Sequence, residues 1–529
     1  MNCRGDEPLA ELNLKLPVST PVNDDVAAVP APEDRGTEEL VIAVVGPIGS
    51  GVSECARLIE SQLFDIYGYE KGGIKKVSDL IQRYAPKVGV VVDPTKPFEK
   101  TEGLQKAGTK LRQTFGPTAV IDLAIAEISQ ARPPRLTEVN GETQSVPPVS
   151  RRLVTVIDAV KNPAEVRRLR AVYKSAFWLV GVFAPEEKRH RRLRDRFKKA
   201  EDRVKAMRVD EDEENASGQK VAKTMELADY FIRNNSDSVA DLGKSVERFL
   251  KIIFNVGVNT PTLDESSMYA ATAAASRSAC LSRQVGVVIV NSDGETIGTG
   301  TNDVPKYGGG LYPTNPLAGE VVSDARCYNW RNGICHNDDR KKRLVDHATD
   351  DLVAYLIAGK KEDARKAVAT SEVKSLIEFS RAVHAEMEAI VSVARAGGKG
   401  IVGSTLFSTT FPCHNCARHV VAAGIKRVVY IEPYAKSLAL ELHDDAISTD
   451  EKDIGKKVVF VQYEGVAPNN YLDVFKSGLD RKRDGVRLPC DPRSSSPVIK
   501  EPLDDFTIRE DIATGGLSRL FAAAVPAKS

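Results

Sequence analysis

Three side chains in the second half of the sequence have the types and spacing of a metal-binding site. His384 opens the segment HAE, and Cys413 and Cys416 belong to the segment PCHNC. One imidazole and two thiolates are the borderline-soft ligands that suit zinc. Three protein ligands leave a fourth position for water, which is typical of a catalytic site and not of a closed structural one. The sequence therefore predicts a catalytic zinc site.

An acidic residue beside this site, Glu386, is predicted to move protons. It lies two residues after His384 and is expected to stay off the metal, so its carboxylate can accept a proton from the attacking water. The two cysteines are three residues apart at the start of a predicted helix, whose positive end favours thiolates. The alternatives are a structural zinc knuckle, or a reduced C-x-x-C pair with an unrelated histidine. The pairing of HAE and PCxxC at successive helix starts favours catalysis.

A stretch near the N-terminus, GPIGSGVS (Gly46–Ser53), has most of a phosphate-binding loop. The apolar run LVIAVV precedes it and the helical pattern ECARLIESQLF follows it, so it lies where a strand turns into a helix. The pattern G-x-x-x-x-G-K-[ST] belongs in that setting, but Val52 replaces the lysine. Backbone N–H groups at the helix start can still bind an anion. We predict nucleotide binding with little phosphoryl transfer, by Gly46, Gly49, Ser50, Gly51 and Ser53.

Length, charge and cysteine content restrict the class of protein. A chain of 529 residues is too long for one ordinary core, so two or three domains are expected. The net charge of +1 shows no overall basic excess that would draw the chain to a polyanion. The sequence has no apolar run of membrane-spanning length and no signal-peptide core, so we expect a cytoplasmic protein. In that compartment the 8 cysteines favour metal binding or catalysis over disulfides.

The elements that must position these residues alternate between strands and helices. In the first half RLVTVID, NPAEVRRLRAVY and AFWLVGVFA follow one another as strand, helix and strand. In the second half the predicted order is the helix SSMYAATAAASRSA, the strand VGVVIVNSDG, a long irregular insertion from Tyr307 to about Ser375, the helix HAEMEAIVSVARAG, the strand STLFSTT, the helix HNCARHVVAAGI and the strand RVVYIEPY. This alternation predicts an α/β fold with parallel strands covered by helices.

The second half, from about Glu265 to Gly478, resembles the dCMP deaminase branch of the cytidine deaminase superfamily. ASRSACLSRQVGVVIV matches the opening helix and first strand of that branch, and H-x-E…P-C-x-x-C is the signature of zinc nucleobase deaminases. GTGTNDVP resembles its G-x-N-x-x-P turn, and VVYIEPYAKS its strand and loop after the PCxxC helix. The resemblance implies that Glu386 protonates the ring nitrogen and helps ammonia to leave, that Asn302 contacts the nucleoside, and that Tyr434 and Lys436 lie near a substrate phosphate. A packed aromatic ring and a solvated lysine are the alternatives for the last two.

One position departs from the pattern of that branch. Glu388 stands where the branch commonly has asparagine, two residues after the glutamate of HAE. A carboxylate there changes the hydrogen bonds offered to the sugar. Both dCMP and dCTP therefore remain alternatives for the substrate.

The insertion offers a second set of metal ligands. Some relatives hold a second, structural zinc between the first helix and the corresponding insertion. The resemblance implies such a closed site formed by Cys280, Cys327, Cys335 and His336. The alternative is ordinary buried thiols and an exposed histidine.

The first half resembles the P-loop nucleotide kinases. VTVIDAVKNPAEV places Asp158 at a strand end, the usual Walker B position, and ADYFIRNN resembles the closing strand of those kinases. The predicted basic helix from Lys188 to Lys199 resembles an arginine-bearing kinase lid, with a solvated charged face as the alternative. The implied fold is a P-loop kinase-like three-layer domain followed by a three-layer cytidine-deaminase-like α/β domain. The predicted boundaries are a disordered tail (1–38), the kinase-like and regulatory domain (39–256), the deaminase domain (262–480) and a loose C-terminal tail (481–529).

The complete arrangement resembles the bacterial anti-phage dCTP/dCMP deaminases. It implies hydrolysis of deoxycytidine nucleotides to deoxyuridine nucleotides and ammonia during infection, with activity held back until a trigger arrives. A nucleotide or an inhibitory RNA at the first domain, and a homo-oligomer, are the implied partners. One alternative function is a deaminase that edits bases in a polynucleotide. Another is a nucleotide kinase with a zinc-stabilised scaffold domain, which the missing lysine disfavours.

Overall fold

The chain folds into two α/β halves. The computed structural model describes residues 36–132, 136–139, 142–145, 150–211, 218–313, 324–352, 360–371, 373, 376, 379–434, 437–476, 481–488 and 490–523. The first half contains β1 (Leu40–Val45), α1 (Val52–Asp65), β2 (Glu70–Lys76), α2 (Val77–Tyr84), α3 (Pro97–Phe115), α4 (Ala119–Gln130), β3 (Leu136–Val139), β4 (Glu142–Ser145), β5 (Leu153–Asp158), α5 (Pro163–Tyr173), β6 (Phe177–Phe183), α6 (Glu186–Arg192), α7 (Ala200–Glu211), α8 (Val221–Met225), β7 (Tyr230–Arg233) and α9 (Val239–Ile253).

The second half begins with a helix that precedes its first strand. It contains α10 (Leu263–Ala275), β8 (Gly286–Val290), β9 (Thr296–Thr301), α11 (His336–Leu352), α12 (Lys361–Thr370), α13 (Ala385–Arg395), β10 (Thr405–Thr410), α14 (His414–Ala422), β11 (Arg427–Glu432), α15 (Ala439–Leu442), β12 (Ile447–Ser448), β13 (Val458–Gln462), β14 (Gly465–Val466), α16 (Tyr471–Phe475), β15 (Lys482–Arg483), β16 (Val486–Arg487) and α17 (Leu503–Ala523).

A parallel sheet forms the centre of the first half. Its strands lie in the order β7-β6-β1-β5-β2, and all four pairings between them are parallel. Strand β1 is buried along its whole length, which fits its uninterrupted apolar sequence. Helices α1 and α9 pack on one face, and α2 to α5 pack on the other. This is the three-layer kinase-like arrangement that the sequence predicts.

The second sheet is mixed and carries the predicted catalytic helices. Its order is β12-β13-β11-β10-β8-β9, with β8 antiparallel to both β10 and β9 and the remaining pairs parallel. Apolar residues of α13 and α14 pack on one face. Helix α10 packs on the other face, within a core cluster that continues into the first half. The three-layer α/β fold predicted for this half is confirmed.

The two halves share a sheet edge. The short strand β14 follows β13 of the second sheet along the chain but pairs in antiparallel fashion with β7 of the first sheet. The fully buried Glu265 accepts a hydrogen bond from the Val466 backbone N–H (3.0 Å) and an ion pair from Arg248 of α9 (2.5 Å). An isolated carboxylate would be costly to bury, so these partners fix α10, β14 and α9 relative to one another.

Three segments differ from the sequence-based expectations. The insertion predicted to be irregular contains α11 and α12, which contact each other. The C-terminal segment predicted to be a loose tail contains α17, which packs on α4 and α5. The basic segment 188–199 is not one helix, because α6 ends at Arg192 and α7 begins at Ala200. Polar helices such as α11 bury few side chains, which leaves little periodicity in the sequence.

Two other findings concern the predicted N-terminal tail and the character of the helices. Of the predicted tail 1–38, only residues 36–38 are among those described, and the Thr37 N–H donates to the Glu501 carbonyl (2.8 Å). Among the described helices, none combines the length and the apolar character needed to cross a membrane.

One glycine allows α13 to lie directly on β9. A Cβ atom on Gly300 would lie 2.0 Å from the Ala385 carbonyl oxygen and 2.5 Å from the Ala389 backbone nitrogen. Real Cβ atoms do not approach backbone this closely. Because His384 and Glu386 flank Ala385, the absence of a side chain at position 300 sets the depth of both functional residues.

Gly300→Ala is expected to push α13 off the sheet. The overpacking should cost about 1–3 kcal/mol of unfolding free energy, which thermal and urea denaturation would measure. The matched control is Gly515→Ala in α17, where an added Cβ meets nothing within 4 Å. That control should leave stability unchanged or raise it by about 0.5–1 kcal/mol. Equal stability of Gly300→Ala and the wild type would contradict the packing argument.

Candidate active site

The three predicted metal ligands converge at the N-termini of two neighbouring helices. His384 is the residue that precedes α13, and Cys413 holds the same position before α14. Cys416 lies in the first turn of α14. The two helices pack side by side on one face of the second sheet. The unpaired N–H groups and the positive dipole ends of both helices therefore point toward the ligand group.

The geometry of this group fits a zinc ion. The His384 Nδ1 atom lies 3.4 Å from the Cys413 Sγ atom and 3.3 Å from the Cys416 Sγ atom. Tetrahedral zinc, with a nitrogen at about 2.0–2.1 Å and a sulfur at about 2.3 Å, would separate these atoms by about 3.5 Å. The three ligand atoms lie within 4.8 Å of one another, and both cysteines are buried.

The protonation of the two cysteines is set by their mutual contact. A hydrogen bond from the Cys416 thiol, assisted by His384, lowers the pKa of the Cys413 thiol. The same interaction, together with burial, raises the pKa of Cys416. The bond to Cys413 raises the pKa of His384. Because metal ligands must be deprotonated, one thiolate is favoured before metal binding, and binding releases the remaining protons.

Glu386 lies beside the ligand group and is almost fully buried, with 5% of its surface exposed. It follows His384 by two residues in the first turn of α13, so its side chain is directed toward the same cavity. Burial, followed by the charge of Cys413, raises the pKa of its carboxyl group. A carboxyl group with a raised pKa is suited to accept and return a proton near neutral pH.

A cavity of about 170 Å³ opens over this group. Its wall contains His384, Glu386 and Cys413, and also two of the predicted substrate residues, Asn302 and Tyr434. Lys436, the third predicted substrate residue, lies outside the described residues. The structure therefore brings together the metal ligands, the proton-transfer residue, Asn302 and Tyr434 in one wall.

Asn302 has a structural task as well as a place in the wall. Its Nδ2 atom donates to the Arg283 carbonyl (2.8 Å), and its Oδ1 atom accepts from the Val285 N–H (2.7 Å). Its amide thus holds the segment that precedes β8. Direct contact with the nucleoside stays a prediction.

Two cavity residues, Arg283 and Arg381, do not follow from the predicted set. Arg283 places its guanidinium 5.6 Å from the centre of the Tyr434 ring, and Arg381 places its own over Trp330 at 3.7 Å. Glu226, which follows α8 of the first half, interacts electrostatically with Arg283. The available signal for Arg283 was a cation three residues before the buried strand β8, a pattern too common to indicate a substrate contact.

The four residues of the predicted second zinc site line the same cavity. The structure does not assemble them as a metal group. Within the described part of the chain, His384, Cys413 and Cys416 form the one set of three or more ligands whose atoms lie within 4.8 Å. His336 instead packs its ring against Trp330, and the Cys335 Sγ atom lies 3.5 Å from the Ser282 hydroxyl. The second zinc stays a prediction.

Glu388, the departure from the family pattern, is turned away from the cavity. Its Oε1 atom lies 2.9 Å from the guanidinium of Arg395, two turns further along α13, and the two side chains form an ion pair. It is not one of the described residues that line the cavity. The carboxylate is therefore neutralised within its own helix.

The predicted phosphate-loop residues also assemble. Gly46, Gly49, Ser50 and Gly51 form the turn between β1 and α1, and Ser53 lies in the first turn of α1. Asp158 ends β5, the strand paired with β1, where it lies opposite Val44. Val52 packs its side chain against the core beside Gly46, where an added Cβ would lie 2.9 Å from the Val52 Cγ2 atom.

Comparisons with known proteins agree with this geometry. Residues 261–432 match the cytidine and deoxycytidylate deaminase zinc-binding region. The deoxycytidylate deaminase of Enterobacteria phage T2 is 33% identical over 160 residues, which are 30% of this chain and 74% of that protein. The deoxycytidylate deaminase of Mycobacterium phage D29 is 29% identical over 175 residues, 33% of this chain and 97% of that protein. A UPF0200 protein of Pyrococcus horikoshii is 28% identical over 199 residues, 37% of this chain and 88% of that protein.

The chain belongs to the cytidine and deoxycytidylate deaminase family. It is a zinc-dependent hydrolytic deaminase. The predicted zinc is confirmed, because the matched family region binds zinc and the side chains of His384, Cys413 and Cys416 could together hold a metal ion. The similarity to the UPF0200 protein agrees with a kinase-like first domain.

Removal of a metal ligand should release zinc. Cys413→Ala is expected to lose the metal and to lower the melting temperature, because the ion joins α13 to α14. Zinc quantification on purified protein and thermal denaturation measure both effects. Cys490→Ala, which changes an exposed cysteine, is the control and should keep its zinc. The same quantification tests the second site, since one zinc per wild-type chain would exclude it.

Proposed function

We propose that the enzyme deaminates free deoxycytidine nucleotides, dCMP or dCTP, to the corresponding deoxyuridine nucleotides and ammonia. The observation that carries the proposal is the common cavity wall of His384, Glu386 and Cys413, with the cation Arg283 at its rim. The relatives from phages T2 and D29 are deoxycytidylate deaminases, which supports a deoxycytidine nucleotide as substrate.

The residues of this chain have separate tasks in the reaction. A zinc ion bound to His384, Cys413 and Cys416 supplies Lewis acidity, which makes water nucleophilic near neutral pH. The Glu386 carboxylate accepts the proton that this water loses on attacking the cytosine ring. Glu386 then gives this proton to the ring nitrogen beside the attacked carbon. It next takes the proton of the hydroxyl group newly bonded to that carbon and passes it to the amino group, so that ammonia leaves as the carbonyl forms. The buried position of Glu386 keeps bulk water from competing for this proton.

The rim of the cavity suits the phosphate end of a nucleotide. Arg283 is exposed at the mouth, and a planar guanidinium can form two parallel hydrogen bonds with a phosphate. Tyr434 and Lys436 are the proposed neighbours of the same phosphate.

The remaining proposals concern biology and assembly. We infer that the activity depletes deoxycytidine nucleotides during phage infection, as the resemblance of the complete arrangement implies. The degenerate phosphate loop would make the first domain a regulatory module that binds a nucleotide or an inhibitory RNA. The enzyme is proposed to be a homo-oligomer in the cytoplasm. The proposed domain boundaries are 39–256 and 262–480, with a tail at 1–38, whereas the segment 481–529 returns to the first half through α17.

Replacement of the proton-transfer residue tests the enzyme function. Glu386→Gln should retain zinc and fold while losing at least a thousandfold of turnover, since its amide cannot accept the proton. Wild type and variant are incubated with dCMP, dCTP and cytosine-containing oligonucleotides, and uracil products are quantified. Uracil in the oligonucleotides alone would establish the editing alternative. Equal phage plating on cells that express either protein would contradict the defensive role.

Replacement of the rim cation tests the substrate class. Arg283→Gln should raise the KM for dCMP and dCTP by about ten- to a hundredfold with little change for deoxycytidine, because it removes a charged hydrogen bond of about 1.5–3 kcal/mol to the phosphate. Arg277→Gln, at an exposed arginine in the preceding turn, is the matched control. Equal effects on the nucleotide and the nucleoside would show that Arg283 does not contact the phosphate.

A further inference from the structure

The phosphate loop of the first domain contains an internal carboxylate. The backbone N–H of Ile48 donates a hydrogen bond to the Asp210 Oδ2 atom at 2.8 Å. Asp210 belongs to α7, far along the chain, and its side chain is 4% exposed. A carboxylate therefore occupies a hydrogen-bond donor of the loop, the type of group that phosphate loops offer to a phosphate oxygen.

A lysine from outside the loop completes this arrangement. Lys161 follows β5 and the Walker B position Asp158 by three residues. Its Nζ atom donates to the Asp210 Oδ1 atom at 2.9 Å and to the Gly46 carbonyl at 3.0 Å. Gly46 is the first residue of the loop, so the ammonium lies at the loop although position 52 carries a valine. The charge missing from the motif is thus supplied by another part of the chain.

Two further groups point to an anion site. Arg196, from the segment between α6 and α7, interacts electrostatically with Asp210, and burial lowers the pKa of its guanidinium. The Ser50 hydroxyl is fully buried and has no hydrogen-bond partner among the described residues. A Cβ on Gly46 would lie 2.6 Å from this oxygen, so the hydroxyl faces the first residue of the loop. The Asp210 carboxylate is thus in direct contact with Lys161 and the Ile48 N–H, while the unsatisfied Ser50 hydroxyl lies at the first residue of the same loop.

The segment that carries Asp210 is closed over the loop. Leu193, Phe197, Ala206 and Met207 form a small apolar cluster, against which Ile48 of the loop packs. At Gly49 the backbone of Arg189 approaches so closely that an added Cβ would lie 3.1 Å from its carbonyl oxygen. We call residues 186–211 the lid. The apolar cluster and the contacts of Asp210 join the lid to the loop. Other side chains of the lid bond outside the loop, as Arg196 does to Thr101 and Arg192 to Asn234.

We propose that this is a phosphate-binding site in which Lys161 replaces the missing loop lysine and Asp210 occupies the site until the phosphate of a nucleotide displaces it. The inference rests on the proposed nucleotide-binding role of the first domain and identifies the groups that perform it. A nucleotide polyphosphate carries more negative charge and more acceptor oxygens than one carboxylate, so it can take over the Lys161, Arg196 and Ile48 contacts. Displacement of Asp210 frees α7 and thereby reports occupancy of the site.

The opposing possibility is that Lys161 and Asp210 form a purely structural ion pair. Removal of one member of such a pair leaves the other buried without compensation, and no ligand restores it. A displaced placeholder behaves differently, because removing the carboxylate vacates groups that a phosphate can use. The sign of the change in nucleotide affinity therefore separates the two.

The test measures binding of ATP with magnesium by calorimetry to the full-length wild type and four full-length variants. Asp210→Asn should bind ATP at least tenfold more tightly than the wild type, because it removes the competing charge. Lys161→Met should weaken binding at least tenfold, and Lys161→Arg should restore part of it. Glu201→Gln, at an exposed carboxylate of the same helix, is the matched control and should bind like the wild type. Unchanged or weaker binding by folded Asp210→Asn would overturn the proposal.

A second measurement on the wild type keeps the test independent of how well the variants fold. Hydrogen exchange in residues 200–211 should become faster at saturating ATP, because α7 loses its anchor. Unchanged exchange at saturation would overturn the displacement of Asp210. If the wild type binds ATP and neither Asp210→Asn nor Lys161→Met changes the affinity, the inference fails and nucleotide binding by the first domain stands. If neither the wild type nor Asp210→Asn binds ATP, both fail, whereas the deaminase function is judged separately by dCMP turnover.

Discussion

The catalytic half depends on two helix N-termini meeting at one point. His384 and Cys413 occupy the same position before their helices, and they are 29 residues apart in the chain. The intervening residues form one helix and one strand, so the helices must lie side by side on a common sheet face. That condition in turn needs α13 to rest almost on the backbone of β9, which a side chain at Gly300 would prevent. Ligand geometry, the burial of Glu386 and the shape of the cavity all follow from this contact.

The same physical device appears twice in the chain. At the start of α14 the positive helix end lies beside Cys413, whose thiol has a lowered pKa. In the loop before α1 the Ile48 N–H donates to the Asp210 carboxylate. In both places backbone N–H groups lie where they stabilise negative charge. The two sites differ in what they bind. The cysteine sulfurs before α14 bind a metal cation, whereas the Asp210 carboxylate at the second site occupies the place proposed for the phosphate of a nucleotide.

Residues that act within short distances of each other along the chain were predictable from sequence, whereas long-range pairings were not. The metal ligands, Glu386, the loop between β1 and α1 and most strands were readable, because each belongs to a local pattern of spacing or periodicity. Helices α11 and α12 left no such pattern, since their surfaces are polar nearly all round, and proline and serine upstream concealed α17. Lys161 and Asp210 are 49 residues apart. Nothing in either neighbourhood indicates the other, so only the folded chain could bring the loop its ammonium group. Arg283 was likewise one unremarkable cation until the cavity placed it.

The strand β14 has a consequence for how the gene could be divided. Two residues that follow the deaminase sheet complete the outer edge of the kinase-like sheet beside β7. If the halves were produced as separate polypeptides, β7 would present its unpaired N–H and carbonyl groups to solvent, an invitation to pair with neighbouring molecules. Glu265 would lose the Arg248 guanidinium that compensates it. Each half therefore depends on the other for part of its structure. A gene rearrangement that separated them would be expected to produce an aggregation-prone fragment and not an independently folding domain.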